Sequence, residues 1–331
     1  MNLLAAVPGF TGNQTSLNPV GPGAAHIERE FVLIFWITGV VYCLVLVALM
    51  ITVWRRRDTL ATIPDAQPTS DADDRFASRA VAGAMVITIV LLFIMLVGSF
   101  RTSHALGSMN YETALTINVI GHQWWWEVQY PNDSEPYKMV VAANEIHLPV
   151  GVPIRIHGTS TDVIHSFWAP NVQGKRDFIP GYETDVMMQV DEPGRWRGQC
   201  AEYCGEQHAH MSFYIVAESR NDYENWLSAQ AQSAVQPSDP TTMHGQQVFL
   251  THTCVLCHSI RGTTAGSRVG PDLTHIASRS TIAAGELPGS IGNLGGWVLN
   301  AQAIKPGCRM PPNQMSGADL QDLLAYLETL R

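Results

Sequence analysis

Two apolar runs constrain this chain more than any other feature. Phe31 to Trp54 and Ala80 to Phe100 contain no Asp, Glu, Lys or Arg across 24 and 21 residues. A helix needs roughly 20 apolar residues to cross a bilayer, so each run is long enough to span. Buried helices of soluble domains rarely stay charge-free for so long, and both runs are therefore read as spans. The connecting loop holds Arg55, Arg56, Arg57, Arg75 and Arg79, whereas the segment before the first span offers only Arg29. Basic residues gather on the cytoplasmic side, which puts the loop inside and both chain ends outside. Everything from about residue 105 onward is then extracytoplasmic. Met1 to Phe10 lacks a basic n-region, and no cleavable signal is expected there.

The remaining residues divide by charge. The formal net charge is −9, and residues 106–235 account for it, with seven basic and sixteen acidic side chains. Such an acidic outer segment repels nucleic acid and anionic lipid and attracts a basic partner protein. Within it, Ala114–Tyr130 alternates and is rich in Ile, Val and Trp, which predicts a strand. Further strand-like runs follow at 138–142, 145–148, 153–158, 184–190, 195–199 and 211–217, separated by Pro/Gly/Asn turns. Many short strands at this spacing predict an all-β sandwich or barrel. Residues 228–240 are small, polar and Pro-containing, and read as a flexible linker. Beyond it come short helical segments, and Leu320, Leu323, Leu324, Leu327 and Leu330 mark an amphipathic helix over 318–330.

The densest chemistry is Cys200-Ala-Glu-Tyr-Cys204-Gly-Glu-Gln-His208-Ala-His-Met211. Two thiols, an imidazole and a thioether in one loop form a soft donor set that favours copper, with zinc the main competitor. The thioether argues against structural zinc, which takes four Cys or His ligands. A second imidazole must come from elsewhere, and His165, placed between predicted strands, is the best candidate. The competing reading is a Cys200–Cys204 disulfide in an oxidising compartment, which leaves the spacing of His208 and Met211 unexplained. His210 is read as a surface residue.

A second motif, Cys254-Val-Leu-Cys257-His258, is a C-x-x-C-H haem c attachment site. The two thiols bond the porphyrin and His258 becomes an axial iron ligand. Downstream, Gly270-Pro-Asp-Leu273 and Lys305-Pro-Gly-Cys-Arg-Met310-Pro-Pro resemble the loops of small class I cytochromes c, a resemblance that implies Met310 as the second iron ligand, with Met315 the alternative; a Met/His pair raises the reduction potential. Cys43 in the first span and Cys308 beside Met310 remain over; they lie in different compartments of the chain and are not expected to pair, and no function is assigned to Cys308.

The copper loop, the upstream His165-Ser-Phe and the strand Gly121-His-Gln-Trp124-Trp-Trp resemble subunit II of the haem–copper cytochrome c oxidases over residues of about 30–220. That resemblance implies a cupredoxin-like barrel holding the dinuclear copper centre CuA. It implies that Cys200 and Cys204 bridge both coppers, with His165, His208, Met211 and the Glu202 carbonyl completing the shell. It further implies that the Glu202 side chain faces a Mg or Mn ion shared with subunit I, and that Trp124 accepts electrons from cytochrome c. The sequence departs from the family at the start of the second span, where many relatives carry a proton-uptake Glu. Here Asp73-Asp74-Arg75 stands instead.

With the haem motif, the whole is similar to the caa-type oxidases, which carry their electron donor as a tail. The expected organisation is a transmembrane hairpin (1–105, spans at about 31–54 and 80–100), a CuA cupredoxin-like domain (106–227), a linker (228–240) and an all-α class I cytochrome c domain (241–331). The implied role is to accept electrons from external cytochrome c or another periplasmic donor and pass them through haem c and CuA to haem in subunit I. There oxygen is reduced to water with proton translocation, in a bacterial inner membrane, with subunit III a further expected partner. A tether of about a dozen residues would give an effective concentration on the order of millimolar. The rival from another class is a membrane-tethered electron carrier without a catalytic partner. A copper-free quinol oxidase subunit is opposed by the intact Cys, His and Met set.

Overall fold

The computed structural model describes residues 12–56, 71–109, 114–132 and 139–331. Met1–Phe10, Arg57 and Lys138, used above, lie outside them. Both apolar runs lie within helices, α1 (Pro22–Arg56) and α2 (Asp71–Gly107). Each is long and apolar enough to cross a membrane, with mean hydropathy of 2.7 and 2.9 in the most apolar stretch. Their apolar side chains, among them Trp36, Leu44, Leu92 and Phe93, are exposed. Water would penalise that surface and lipid would not, so the chain is membrane-anchored. Ser99 Oγ donates to the Glu30 carboxylate, joining the two helices. Of the acids standing where relatives carry Glu, Asp74 is exposed on α2, and the Asp73 side chain is outside the described residues.

The remaining residues form a separate compact unit. Its first part is a sandwich of two five-stranded sheets, the expected cupredoxin-like architecture. One sheet has the order β3 (Val140–Ala143), β2 (Trp125–Tyr130), β1 (Leu115–His122), β5 (Ile154–Ser160), β8 (Thr184–Met188). The other runs β4 (Glu145–Pro149), β10 (Ser212–Glu218), β9 (Gly194–Cys200), β6 (His165–Trp168), β7 (Arg176–Phe178). Strand β5 alternates buried and half-buried residues along its whole length, which is why period-2 patterning found it. The core centres on Trp126, whose ring lies edge-on to Phe167, Phe178 and Phe213 at 5.6–5.8 Å. Edge-to-face contacts at such spacing add to the burial energy of the rings.

Three local expectations change. Ala114–Tyr130 is a hairpin rather than one strand, with Gly121 opposite Trp126 and His122 opposite Trp125. Its turn, Gln123–Trp124, contains no Gly, Pro, Asn or Asp, so nothing in the sequence punctuates it; the Gln123 N–H donating to Asp162 Oδ2 at 2.7 Å secures it from outside. His165 opens strand β6 instead of lying between strands. The segment read as a flexible linker is fixed. Residues 228–230 close helix α3 (Arg220–Gln230), and Pro240 begins helix α4 (Pro240–Thr251). Between them Ala234 is buried, its N–H donates to the Arg261 carbonyl at 3.0 Å, and the Arg261 guanidinium donates to the carbonyls of Gln230 and Ala231. The composition of this segment signals a loop but carries no record of the arginine that grips it.

The haem-motif part is helical. Helix α4 is capped by Asp239, with Pro240 at its first position, and α5 (Ile291–Ile304) and α6 (Gly317–Thr329) are capped by Ser290 and Ser316. Phe249 of α4 packs with Leu323, Tyr326 and Leu327 of α6 in one core. The last helix thus buries the leucine stripe read from sequence. Trp126→Ala should destabilise the sandwich by about 3–5 kcal/mol, the usual loss for a buried aromatic. Denaturant unfolding of the detergent-solubilised chain, followed by circular dichroism, checks this.

Candidate metal and haem centres

The soft-donor loop is closed by the ladder it interrupts. Cys200 ends β9 and Met211 immediately precedes β10, and the Cys200 N–H donates to the Met211 carbonyl at 2.9 Å. The excursion between them carries Cys204 and a 3-10 turn at His208–His210. The Ala201 N–H donates to the Ser166 carbonyl at 2.9 Å, which fixes the loop against β6 and brings His165 to it.

The donor atoms converge. Cys200 Sγ lies 3.7 Å from Cys204 Sγ, 3.8 Å from His165 Nδ1 and 3.2 Å from the Glu202 carbonyl. Cys204 Sγ lies 3.6 Å from His208 Nδ1 and 3.9 Å from Met211 Sδ. Both cysteines are free, which removes the disulfide reading. His165, Cys200, Cys204 and Met211 are buried, His208 is half-buried, and the Glu202 side chain is exposed. Three sulfurs, two imidazoles and a carbonyl gathered in this way fit copper. The hydrogen bond between the two thiols holds Cys200 far below the usual thiol range and pushes Cys204 up. The metal-free pair therefore keeps one proton, which metal binding must displace. His210, read as a surface residue, is exposed and pairs with Glu286 at 2.8 Å.

Three residues escaped the sequence reading. Asp162 Oδ1 accepts from His165 Nε2 at 2.9 Å, which leaves Nδ1 as the free base nitrogen facing Cys200. Its position three residues before His165 was the available signal, since ligating imidazoles regularly donate to a carboxylate. Gly121 leaves room for the imidazole: a Cβ there would stand 2.8 Å from His165 Cδ2. Gln123 Nε2 donates to the Cys204 carbonyl at 2.8 Å.

The second centre is a cavity of about 360 Å³ lined by Cys254, Cys257, His258 and Met310. His258 Nδ1 donates to the Pro271 carbonyl at 2.7 Å, so Nε2 is left with the lone pair. Burial lowers the pKa of His258 and keeps it neutral, as a metal ligand must be. The two thiols, the neutral imidazole and the thioether around one apolar cavity fit a haem c. Met315 packs in the helical core but does not line the cavity, and Met243 is exposed on α4. Cys308 does line it, with Gln302 Nε2 at 3.3 Å from its sulfur. The same cavity is bordered by Gln123 and Trp124 of the sandwich, and Trp124 Nε1 donates to the Cys204 carbonyl at 2.9 Å.

Two family models match the chain: "Cytochrome C oxidase subunit II, periplasmic domain" over residues 133–219 and "Cytochrome c" over residues 242–331. A protein of Alkalihalophilus pseudofirmus described as cytochrome c oxidase subunit 2 is 31% identical over 327 residues, covering 96% of this chain and 91% of its own. The protein so described from Bacillus sp. strain PS3 is 27% identical, covering 74% and 72%. The crystal structure of the periplasmic domain of subunit II of cytochrome oxidase of Bradyrhizobium japonicum is 30% identical, with a TM-score of 0.34, over 37% of this chain and 96% of that one.

Asp162→Asn should weaken copper binding by about 10–100-fold, the usual loss when the partner of a ligating imidazole is altered. Copper titration of the metal-free chain against a competing chelator measures this.

Proposed function

The chain belongs to the cytochrome c oxidase subunit 2 family, and from that premise we propose that it is the electron-accepting subunit of a caa-type oxidase. In this role it takes electrons from an external donor, through haem c and CuA, to haem in subunit I. Oxygen is reduced to water in that subunit, and protons are translocated. The anchor would place both redox centres on the periplasmic side of a bacterial inner membrane, as the arginines of the connecting loop require. Subunit III is a further expected partner.

One observation carries the proposal: Trp124 lines the haem cavity and hydrogen-bonds the carbonyl of Cys204. A single side chain thus touches both centres. When bound, copper and haem iron supply one-electron chemistry, and the protein supplies geometry and exclusion of water. Cys200, Cys204, His165, His208, Met211 and the Glu202 carbonyl would hold the copper. A set closed in this way leaves no open position for substrate, which suits electron transfer rather than catalysis. Cys254 and Cys257 would hold the haem covalently, and His258 and Met310 would hold its iron. The exposed Glu202 side chain is free to meet a Mg or Mn ion shared with subunit I. These assignments extend the sequence reading, and the convergence of the donor atoms supports them.

Cys200→Ser should abolish the near-infrared absorption and multiline copper resonance of the purified chain while leaving the haem spectrum unchanged. A retained copper signal would refute the ligand set. Met310→Ala should convert the haem to a high-spin or altered ligand state. An unchanged spectrum would move the assignment to another residue. Reduction of haem followed by electron arrival at copper, time-resolved in the purified chain, tests the order of the path. Isolation from native membranes together with a haem–copper subunit tests the oxidase assignment.

A further inference from the structure

Lys305 is among the least exposed charged residues of the extramembrane unit, at 2%. It follows helix α5 and lines the haem cavity, five residues before Met310. Its ammonium donates to three main-chain carbonyls: His210 at 2.7 Å, Ala283 at 3.2 Å and Trp124 at 3.4 Å. Two of these belong to the sandwich and one to the helical part. Among the described residues no carboxylate lies within ion-pair distance of it. Glu286 favours its charged form without a direct ion pair, so the ammonium's direct partners are the three carbonyls, and a buried charge is costly unless it is hydrogen-bonded in this way. Burial accordingly lowers the pKa of Lys305 to about 8. A lysine has three donors, and here they meet three acceptors.

The surroundings show that this contact is built rather than incidental. Ala283 and Ala284 adopt left-handed backbone conformations, with φ of 56° and 59°. Each costs on the order of 1–3 kcal/mol and persists only where the surroundings over-determine it. The carbonyls of that strained pair are the acceptors at the junction: Ala283 for Lys305, and Ala284 for the Ser212 N–H at 3.1 Å and the Ser212 hydroxyl at 2.6 Å. On the other side of Lys305, Gln207 Nε2 donates to the Pro306 carbonyl. A Cβ at Gly307 would collide with the Glu206 carboxylate. Arg309 Nη2 donates to Gln123 Oε1 at 2.7 Å, and Gln123 in turn donates to the Cys204 carbonyl. The segment leading to Met310 thus lies along the loop that carries Cys204 and His208.

We propose that Lys305 is a positioning residue for electron transfer: its buried ammonium clamps the carbonyls of Trp124, His210 and Ala283 and so holds the haem-binding part in register with the copper-ligand loop. The proposal rests on the electron-transfer reading above. Trp124 is the residue shared by the two centres, and Lys305 holds its main chain directly. Of the contacts at this junction, Lys305 alone ties the haem-ligand segment, the strained Ala283 turn and the copper loop through one atom.

The test uses the full chain, loaded with haem and copper. Lys305→Met keeps the length of the side chain and removes both charge and donors. Transfer from haem to copper should slow by about tenfold or more, since hydrogen bonds to a charged group are lost and each 1.4 kcal/mol is a factor of ten. Haem reduction by a small artificial reductant, and both absorption spectra, should stay unchanged, a split that a general packing defect would not give. Hydrogen exchange at the Ser212 amide should accelerate in the same variant, with or without cofactors. Lys305→Gln, which keeps one amide donor, should fall between wild type and Lys305→Met in both measurements, and it decides the matter if the methionine variant fails to fold. Transfer rate and Ser212 exchange at wild-type values in either variant would overturn the proposal. Failure of the wild-type chain to pass electrons would instead sink the functional reading, and Ser212 exchange would still decide whether Lys305 is a clamp.

Discussion

The hydrogen bond from the Cys200 amide to the Met211 carbonyl closes the loop on which the copper chemistry depends. It is the rung at which the β9–β10 ladder stops and the ligand excursion begins. Because both its residues also offer sulfur, the strand ends themselves contribute to the donor set, and only Cys204 and His208 must be placed by the loop. A sheet provides such placement cheaply, since its register is already fixed by the alternation of core-facing residues. Functional groups on a rigid scaffold lose little on metal binding. The Trp126 cluster completes this, since its ring stands 5.8 Å from the His165 imidazole and packs that candidate ligand from the core side.

Legibility in the sequence followed the range of the interactions. The spans were legible because hydropathy is a local sum, and the helix of residues 317–329 because its leucines repeat at helical spacing. The candidate donors within 200–211 and 254–258 were legible because each group sits in one stretch and its spacing points to its chemistry. His165 was the best candidate for the second imidazole from its place in the pattern, though its strand was not read. What stayed hidden was what reaches across the fold. The Gln123–Trp124 turn is secured by Asp162, about forty residues away, and residues 231–234 are held by Arg261. In both cases the segment's own composition is silent, because the stabilising partner is tertiary.

That last point changes the physics of the fusion. A flexible tether would deliver haem to copper by collision, at a rate set by effective concentration. Here Gln230, Gln232, Ala234 and Gln236 of the connecting segment hydrogen-bond to the helical part, and the sandwich and helical parts share a boundary that includes a buried lysine and two strained alanines. Fixing the geometry removes the search step and the loss of orientation that a tether leaves in place. It also restricts access. On the proposed path, a haem in the cavity bordered by Trp124 would face the copper loop, and an external donor would approach from another side of the helical part. The acidic sandwich, with sixteen acidic and seven basic residues over 106–235, then bears less on that donor than its charge suggests. Part of that charge is spent internally, with Glu145 accepting from Ser280 and Arg195, and Glu218 accepting from His147 at 2.6 Å. The helical part carries equal numbers of acidic and basic residues over 236–331, so its net charge supplies no long-range attraction to a charged partner.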